Sequence, residues 1–230
     1  ETIRLIPNIV VLPYRNPFIV AKSVATIDAL SDGRFTLSTA VGYSKSEYKA
    51  LGVDYDSRNE LFDESIKVLK GVWSQDDFAF EGTTFSAVGQ TANPKPTNLP
   101  IWIGGNSGRA RQRVAEFGDG WNPFPAPKAL AGAAKTVVLE TAEDLGRLLD
   151  DLWQKVDEAG RDRAAIDVSF GTPKGGAPGK ASFNAAEHLE GVAELAELGV
   201  TWTATGVPGD SLAHALETLE QYGAEVINAG

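Results

Sequence analysis

The chain has no cysteine among its 230 residues, which excludes disulfides, thiolate metal sites and a cysteine nucleophile, and leaves its redox compartment unmarked. Histidine is almost as scarce. His188 and His214 are the only two, and both fall inside helical patterns, where an ordinary helix residue is the simpler reading than a catalytic one. Positive charge is in short supply too: 21 lysines and arginines face 31 acids, for a formal net charge of −10, so a broad basic surface for nucleic acid is not expected. No apolar run approaches the ~20 residues of a membrane-spanning helix, and a cytoplasmic protein is the default expectation. Methionine is missing as well, and the first residues, from Glu1 to Ile6, already alternate as a strand does. The expectation is a chain whose beginning lies upstream of these residues.

What is present is enough apolar material for one large domain over residues 1–230, with 43% hydrophobic and 23% charged residues. Strand-like and helical runs take turns, the pattern of parallel α/β folds. Ile3 to Leu12 reads as a strand, and Asn16-Pro17 as the cap and first position of a helix that stops at Ser31-Asp32-Gly33. Arg34 to Val41 is a second strand. Ser57 and Glu60 have the spacing of a capping box before a helix that reaches Trp73. Ile101 to Ile103 is a third strand, and its helix runs from Ser107 to Phe117, with Gly118 expected in the left-handed closing position. Further units begin near Gly120, Ile166 and Val200, with helices opened by Thr141, Asn184 and Gly209-Asp210. Three excursions interrupt the rhythm, at 74–99, 122–140 and 171–183; the first contains a hairpin-like Phe78 to Phe85, and the glycine-rich start of the third is mobile by composition.

Six such units fit either an open doubly wound sheet or most of a closed (β/α)8 TIM barrel. The first β-α turn, Leu12 to Pro17, has no glycine, and Gly104, Gly105 and Gly108 do not have the dinucleotide-binding spacing. The barrel is the better choice. Eight units are then expected, so the chain would lack about two at its front, on the order of 60 residues.

In a barrel the chemistry gathers where strands end. Those ends carry Leu12-Pro13-Tyr14-Arg15, Gly42-Tyr43-Ser44, Gly104-Gly105-Asn106-Ser107, Asn122-Pro123-Phe124, Gly171-Thr172 and Gly206-Val207-Pro208. They hold neither the carboxylate pair of a glycosidase nor the clustered ligands of a hydrolytic metal site. The set is aromatic, small and hydrogen-bonding, which suits the holding of a large planar cofactor. Gly104 to Ser107 leads into a helix N-terminus, a natural seat for phosphate, with Asn106 and Ser107 as side-chain donors. Arg109 opposes the helix dipole there, and a nearby anion would account for it. A plain tight turn with an N-cap serine and a solvated arginine is the competing reading. Tyr14 and Arg15 are open between capping a ligand and rimming the barrel mouth, and for Tyr43 and Trp121 packing is the commoner fate.

The run from Val10 to Arg34, with Gly42-Tyr43, Pro94-Lys95-Pro96, Ile101 to Asn106 and Gly118 to Trp121, closely resembles the bacterial luciferase-like monooxygenase superfamily, most of all its deazaflavin (coenzyme F420)-dependent oxidoreductase branch. The resemblance implies a TIM barrel that holds a flavin-type ring at its strand ends and acts on a small organic substrate, usually as a homodimer. F420 is the implied cofactor and FMN, in a monooxygenase, the alternative; a non-catalytic binding barrel is the reading from another class. By position, Val11, Leu12 and Pro13 would lie behind the ring, at a bulge where family members often carry a non-prolyl cis peptide. Gly104, Gly105, Asn106, Ser107 and Arg109 would meet the phosphate region, and Gly42, Tyr43 and the loop near Asn122 would wall the site. Relatives commonly place a catalytic histidine or acid in the first two units, so no catalytic residue is assigned in this chain.

Overall fold

In the computed structural model, which describes residues 2–229, the stretch expected as one strand from Ile3 to Leu12 is regular only at Val10–Val11 (β1). Pro7 has no N–H to give a ladder, the Asn8–Ile9 peptide is cis, and upstream only Leu5 makes a bridge, to Phe35. Glu1 and Gly230, the ends of the expected single domain, lie outside the described residues.

Local chemistry then sets the helix boundaries. Asn16 caps α1 (Pro17–Ser31), its side chain accepting from the Phe18 N–H at 3.0 Å, and the helix ends on Asp32 and Gly33, both left-handed. Next come β2 (Leu37–Ala40) and a short helix not foreseen from the sequence, α2 (Lys45–Ala50), capped by Ser44. The helix α3 (Arg58–Ser74) begins where expected but without the capping box. Asp54 organises the turn that leads into the helix. Its carboxylate accepts from the N–H groups of Asp56 and Ser57, each at 3.1 Å, and the Ser57 hydroxyl is spent as a donor to the Asp54 carbonyl. A carboxylate just ahead of the helix also complements its positive end.

The first excursion forms an antiparallel hairpin of β3 (Phe78–Glu81) and β4 (Ser86–Gln90). Its turn is pinned to α3 by Glu64, whose carboxylate accepts from the N–H groups of Thr83, Thr84 and Phe85 at 2.6, 3.0 and 3.2 Å. After β5 (Ile101–Gly104) and α4 (Gly108–Phe117), Gly118 departs from expectation: it is extended, with φ −83° and ψ 152°. A glycine stands there for closeness and not for handedness, because a Cβ would lie 3.0 Å from both Ile103 Cγ1 and Val114 Cα. Carbonyls at this helix end share one guanidinium: Arg161 Nη1 donates to Val114, Ala115 and Gly118 at 2.8, 3.2 and 2.7 Å. Then follow β6 (Gly120–Asn122), α5 (Lys128–Ala134), α6 (Ala142–Glu158), β7 (Asp167–Phe170), α7 (Ala185–Glu197), β8 (Trp202–Thr203) and α8 (Leu212–Tyr222). The last helix is capped by Ser211 and not by Asp210, which pairs with the His214 ring instead.

The chain divides into two compact units, Glu1–Leu139 with Asp151–Ile166, and Glu140–Asp150 with Asp167–Gly230. In the first, β1, β2, β5 and β6 lie side by side in that order and all parallel, with Val10 beside Thr39, Ser38 beside Trp102, and Ile103 beside Trp121. Leu37, Ile101, Ile103 and Trp121 are buried on this sheet, and α3 turns Phe62, Ile66 and Leu69 inward at helical spacing. Fully burying side chains of this size stabilises by ~1.5–3 kcal/mol each. The helices α1 and α3 pack together, and the Trp73 indole donates to the Ala21 carbonyl at 3.1 Å. In the second unit β7 and β8 pair in parallel, Ser169 beside Trp202. The third excursion there is held by Asn184 N–H on the Gly175 carbonyl, at 2.8 Å, and by His214 Nε2 against the Gly179 carbonyl, at 3.0 Å. This is a parallel α/β fold, as the β/α alternation implied.

Candidate functional site

The strand ends of the first unit open into one cavity of about 640 Å3. Ile9, just before β1, and Val11, Ala40, Ile103 and Gly104, towards the C-terminal ends of β1, β2 and β5, are among its lining. Gly104 leaves room there for the end of the Ile9 side chain, since a Cβ would stand 2.4 Å from Ile9 Cδ1. Gly105 follows with φ +109°, a left-handed backbone that turns the chain into α4. Ser107 caps this helix, its hydroxyl oxygen accepting from the Ala110 N–H at 3.1 Å. The first-turn N–H groups of α4 have no partner within the helix and carry its positive end to the cavity edge.

Three arginines line the same cavity. Arg109 Nη2 lies 2.8 Å from Asp63 Oδ2 and 3.5 Å from Glu60 Oε1, so the anions beside it in the structure are carboxylates of α3. Arg113 Nε donates to the other oxygen of Asp63 at 2.5 Å, and its Nη2 to the Asn59 carbonyl and side chain at 3.1 and 3.0 Å. Burial alone would raise the Asp63 pKa, but the bonds from Arg113 and Arg109 outweigh it and hold the carboxyl below its usual value. Arg58 donates to the Tyr55 carbonyl at 2.7 Å and stacks 3.8 Å from the centre of the Tyr55 ring. Among the described residues no group of three or more histidines or carboxylates is placed to share a metal ion.

The family model for luciferase-like monooxygenases matches residues 1–174, three quarters of the chain. The chain belongs to the luciferase-like monooxygenase family. A curated relative, an FMNH2-dependent dimethylsulfone monooxygenase of Pseudomonas putida, is 34% identical over 125 residues, which cover 52% of this chain and 34% of that protein. The chain thus spans about a third of that relative's length. Two solved structures share the fold at low identity. The monooxygenase RslO1 from Streptomyces bottropensis has a TM-score of 0.80 at 14% identity, covering 98% of this chain and 78% of that one. An F420-dependent secondary alcohol dehydrogenase, solved with an F420-acetone adduct, has a TM-score of 0.76 at 16% identity, covering 98% and 80%. The fold is therefore that of the luciferase-like TIM barrels, and the family is one of oxidoreductases and monooxygenases.

Of the family-like positions named from the sequence, Val11, Gly42, Tyr43, Gly104, Gly105, Asn106, Ser107 and Arg109 all line the cavity. Leu12 and Pro13 do not: a short 3-10 turn, Leu12–Tyr14, buries both against α3. The cis peptide lies at Asn8–Ile9, upstream of Val11 to Pro13 where the resemblance implied it, and both its residues line the cavity. Asn106 reaches the cavity too, yet its amide is engaged elsewhere, with Phe124 and Val137. Trp121 is core, wholly buried, with its indole N–H on the Gly105 carbonyl at 3.0 Å, and Asn122 turns inward to Ser38. Tyr14 hydrogen-bonds Glu47 at 3.0 Å, and burial together with that bond pushes its pKa up to about 12. His188, almost fully buried, sits between the Tyr222 hydroxyl and the Lys174 carbonyl.

Sequence reasoning missed Asn8, Ile9, Arg58, Asn59, Phe62, Arg113, Leu130, Lys135 and Thr136, whereas Phe124 stood at a strand end it had named. A signal for one of them, Arg113, was present. Arg109 and Arg113 are four apart on one helix, and Glu60 and Asp63 three apart on another, the spacings that put each pair on a single face.

Proposed function

We propose that this chain is an oxidoreductase domain whose cavity takes a flavin-type cofactor, coenzyme F420 in the first reading, with the phosphate at the Gly104 to Arg109 turn and a small organic substrate above the ring. The observation that carries the proposal is the convergence of a glycine turn and a helix N-terminus on one cavity that Arg58, Arg109 and Arg113 also line. The donor set suits the group. Backbone N–H groups and the Ser107 hydroxyl offer hydrogen bonds to a phosphate, while Tyr43, Phe62 and Phe124 give apolar and aromatic walls for a ring. When bound, a deazaflavin supplies hydride exchange at one ring carbon. The residues of this chain would hold it: Ile9, Val11 and Gly104 beneath, and Ser107 and Arg109 at the anionic end. Water would be kept from the ring by the Phe124 and Leu130 side.

A second reading, an FMN-dependent monooxygenase, is favoured by the 34% identity to an FMNH2-dependent enzyme. Either reading suits a cytoplasmic enzyme working as a homodimer, as the family resemblance implies. Fluorescence and calorimetric titration with F420 and with FMN separates the two. One of them is expected to bind, and Ser107→Ala to weaken it about tenfold, the value of one charge-assisted hydrogen bond. Binding of neither, with no reduced cofactor consumed in the presence of carbonyl, enone or imine compounds, would leave a non-catalytic barrel.

A further inference from the structure

Asn106 stands at the mouth of the anion-binding turn, fully buried, and spends its side chain away from the turn. Nδ2 donates to the Phe124 carbonyl at 2.9 Å and to the Val137 carbonyl at 3.3 Å, and Oδ1 accepts from the Phe124 N–H at 3.1 Å. Both amide protons and one acceptor site are thereby used. Phe124 and Val137 flank the segment that carries α5 and gives the cavity wall Leu130, Ala134, Lys135 and Thr136. Beside them the neck of this segment is shut by two backbone bonds between Ala126 and Leu139, at 2.8 and 3.0 Å. The wall is thus a closed loop with its feet tied together and fastened, through one side chain, to the end of β5.

We propose that Asn106 is a positioning residue that fixes the 124–137 wall to the anion-binding turn, so that occupancy of the turn and order of the wall are coupled. The proposal rests on the reading in which the turn receives a cofactor phosphate. Asparagine is the side chain the geometry requires. It must donate to carbonyls at both feet and accept from an N–H at one, and a carboxylate of the same shape would set an oxygen against two carbonyl oxygens. A buried carboxylate so placed is driven to take up a proton, which restores one donor.

The test is amide hydrogen exchange on the whole chain, corrected for intrinsic rates, with and without FMN, F420 or inorganic phosphate. In the parent protein, a probe that protects 104–110 is expected to slow exchange over 124–137 as well. Asn106→Asp at about pH 8 should speed exchange of the unliganded wall and weaken cofactor binding about tenfold, and at about pH 5.5 both effects should recede as the introduced carboxyl protonates. Ser107→Ala should weaken binding while leaving exchange in the wall as it was. The proposal is overturned if the parent wall ignores a probe that protects the turn, a result that needs no variant to fold. It is equally overturned if the wall of a folded Asn106→Asp variant exchanges like the parent's, or if its defect persists at the lower pH. If no probe binds at all, the cofactor reading fails by itself, and the unliganded exchange of the variant still decides whether Asn106 holds the wall.

Discussion

Replacing Asp63 by asparagine keeps the shape of the side chain and removes one negative charge from between two guanidiniums. Arg113 is the costly partner, because its side chain is only 5% exposed and cannot recover its hydration. Breaking a buried ion pair from one side costs ~3–5 kcal/mol. Asp63 keeps 26% of its side-chain surface, and Arg113 retains its bonds to Asn59, so a discounted figure of about 2 kcal/mol applies. Arg109, 48% exposed, adds ~0.5 kcal/mol. A loss near 2.5 kcal/mol lowers the melting temperature of a chain this long by about 5–10 °C.

The pH dependence gives the charge its signature. With its native pKa held below the unfolded value of about 3.9, the Asp63 carboxylate contributes stability that is fully present above that value and is lost as pH falls through the native one. The gap between parent and Asp63→Asn should therefore be wide at about pH 7 and narrow as pH falls below about 4. Thermal melts followed by circular dichroism across that range read it directly. A variant that melts with its parent at neutral pH, or a gap that does not narrow in acid, would refute the reasoning.

Arg161→Ala should destabilise the chain by about 2 kcal/mol, because the carbonyls of Val114, Ala115 and Gly118 lose a shared donor at the end of α4; urea titration measures it, and Arg161→Lys should recover only part. His214 should titrate above its ordinary value, first because of the Gly179 carbonyl on one nitrogen and then because of Asp210 on the other. What it contributes to stability is then full below about pH 6.5 and fades as pH rises through the native value, and NMR titration of its ring should show Asp210→Asn bringing the pKa down.

Where a local contact decides the structure, the sequence could be read directly. Asn16 and Asn184 cap helices as their spacing implied, because a cap needs only a side chain and an N–H two or three residues on. Ser57 failed the same test because its hydroxyl is spent on the Asp54 carbonyl and its N–H on the Asp54 carboxylate, partners that the capping-box spacing does not include. The first strand was over-read because hydrophobic alternation from Ile3 onward says nothing of a ladder that Pro7 interrupts. At the site, the turn from Gly104 to Arg109 stood out because glycine and a helix start announce themselves. Arg58, Asn59, Phe62 and Arg113 did not, since a residue inside a helix reaches a cavity only by the way that helix packs. Asn106 shows the limit most plainly: its type suggested a phosphate donor, whereas its partners lie on a loop far along the chain.

Gly104 and Ile9 occupy what is in effect one side-chain volume, the isoleucine methyl filling the place that a residue at 104 would need. The depth of the cavity is thus the property of a pair. An alanine at 104 has to turn the end of the Ile9 side chain aside, and an engineer wishing to deepen or shallow this pocket starts with these two positions.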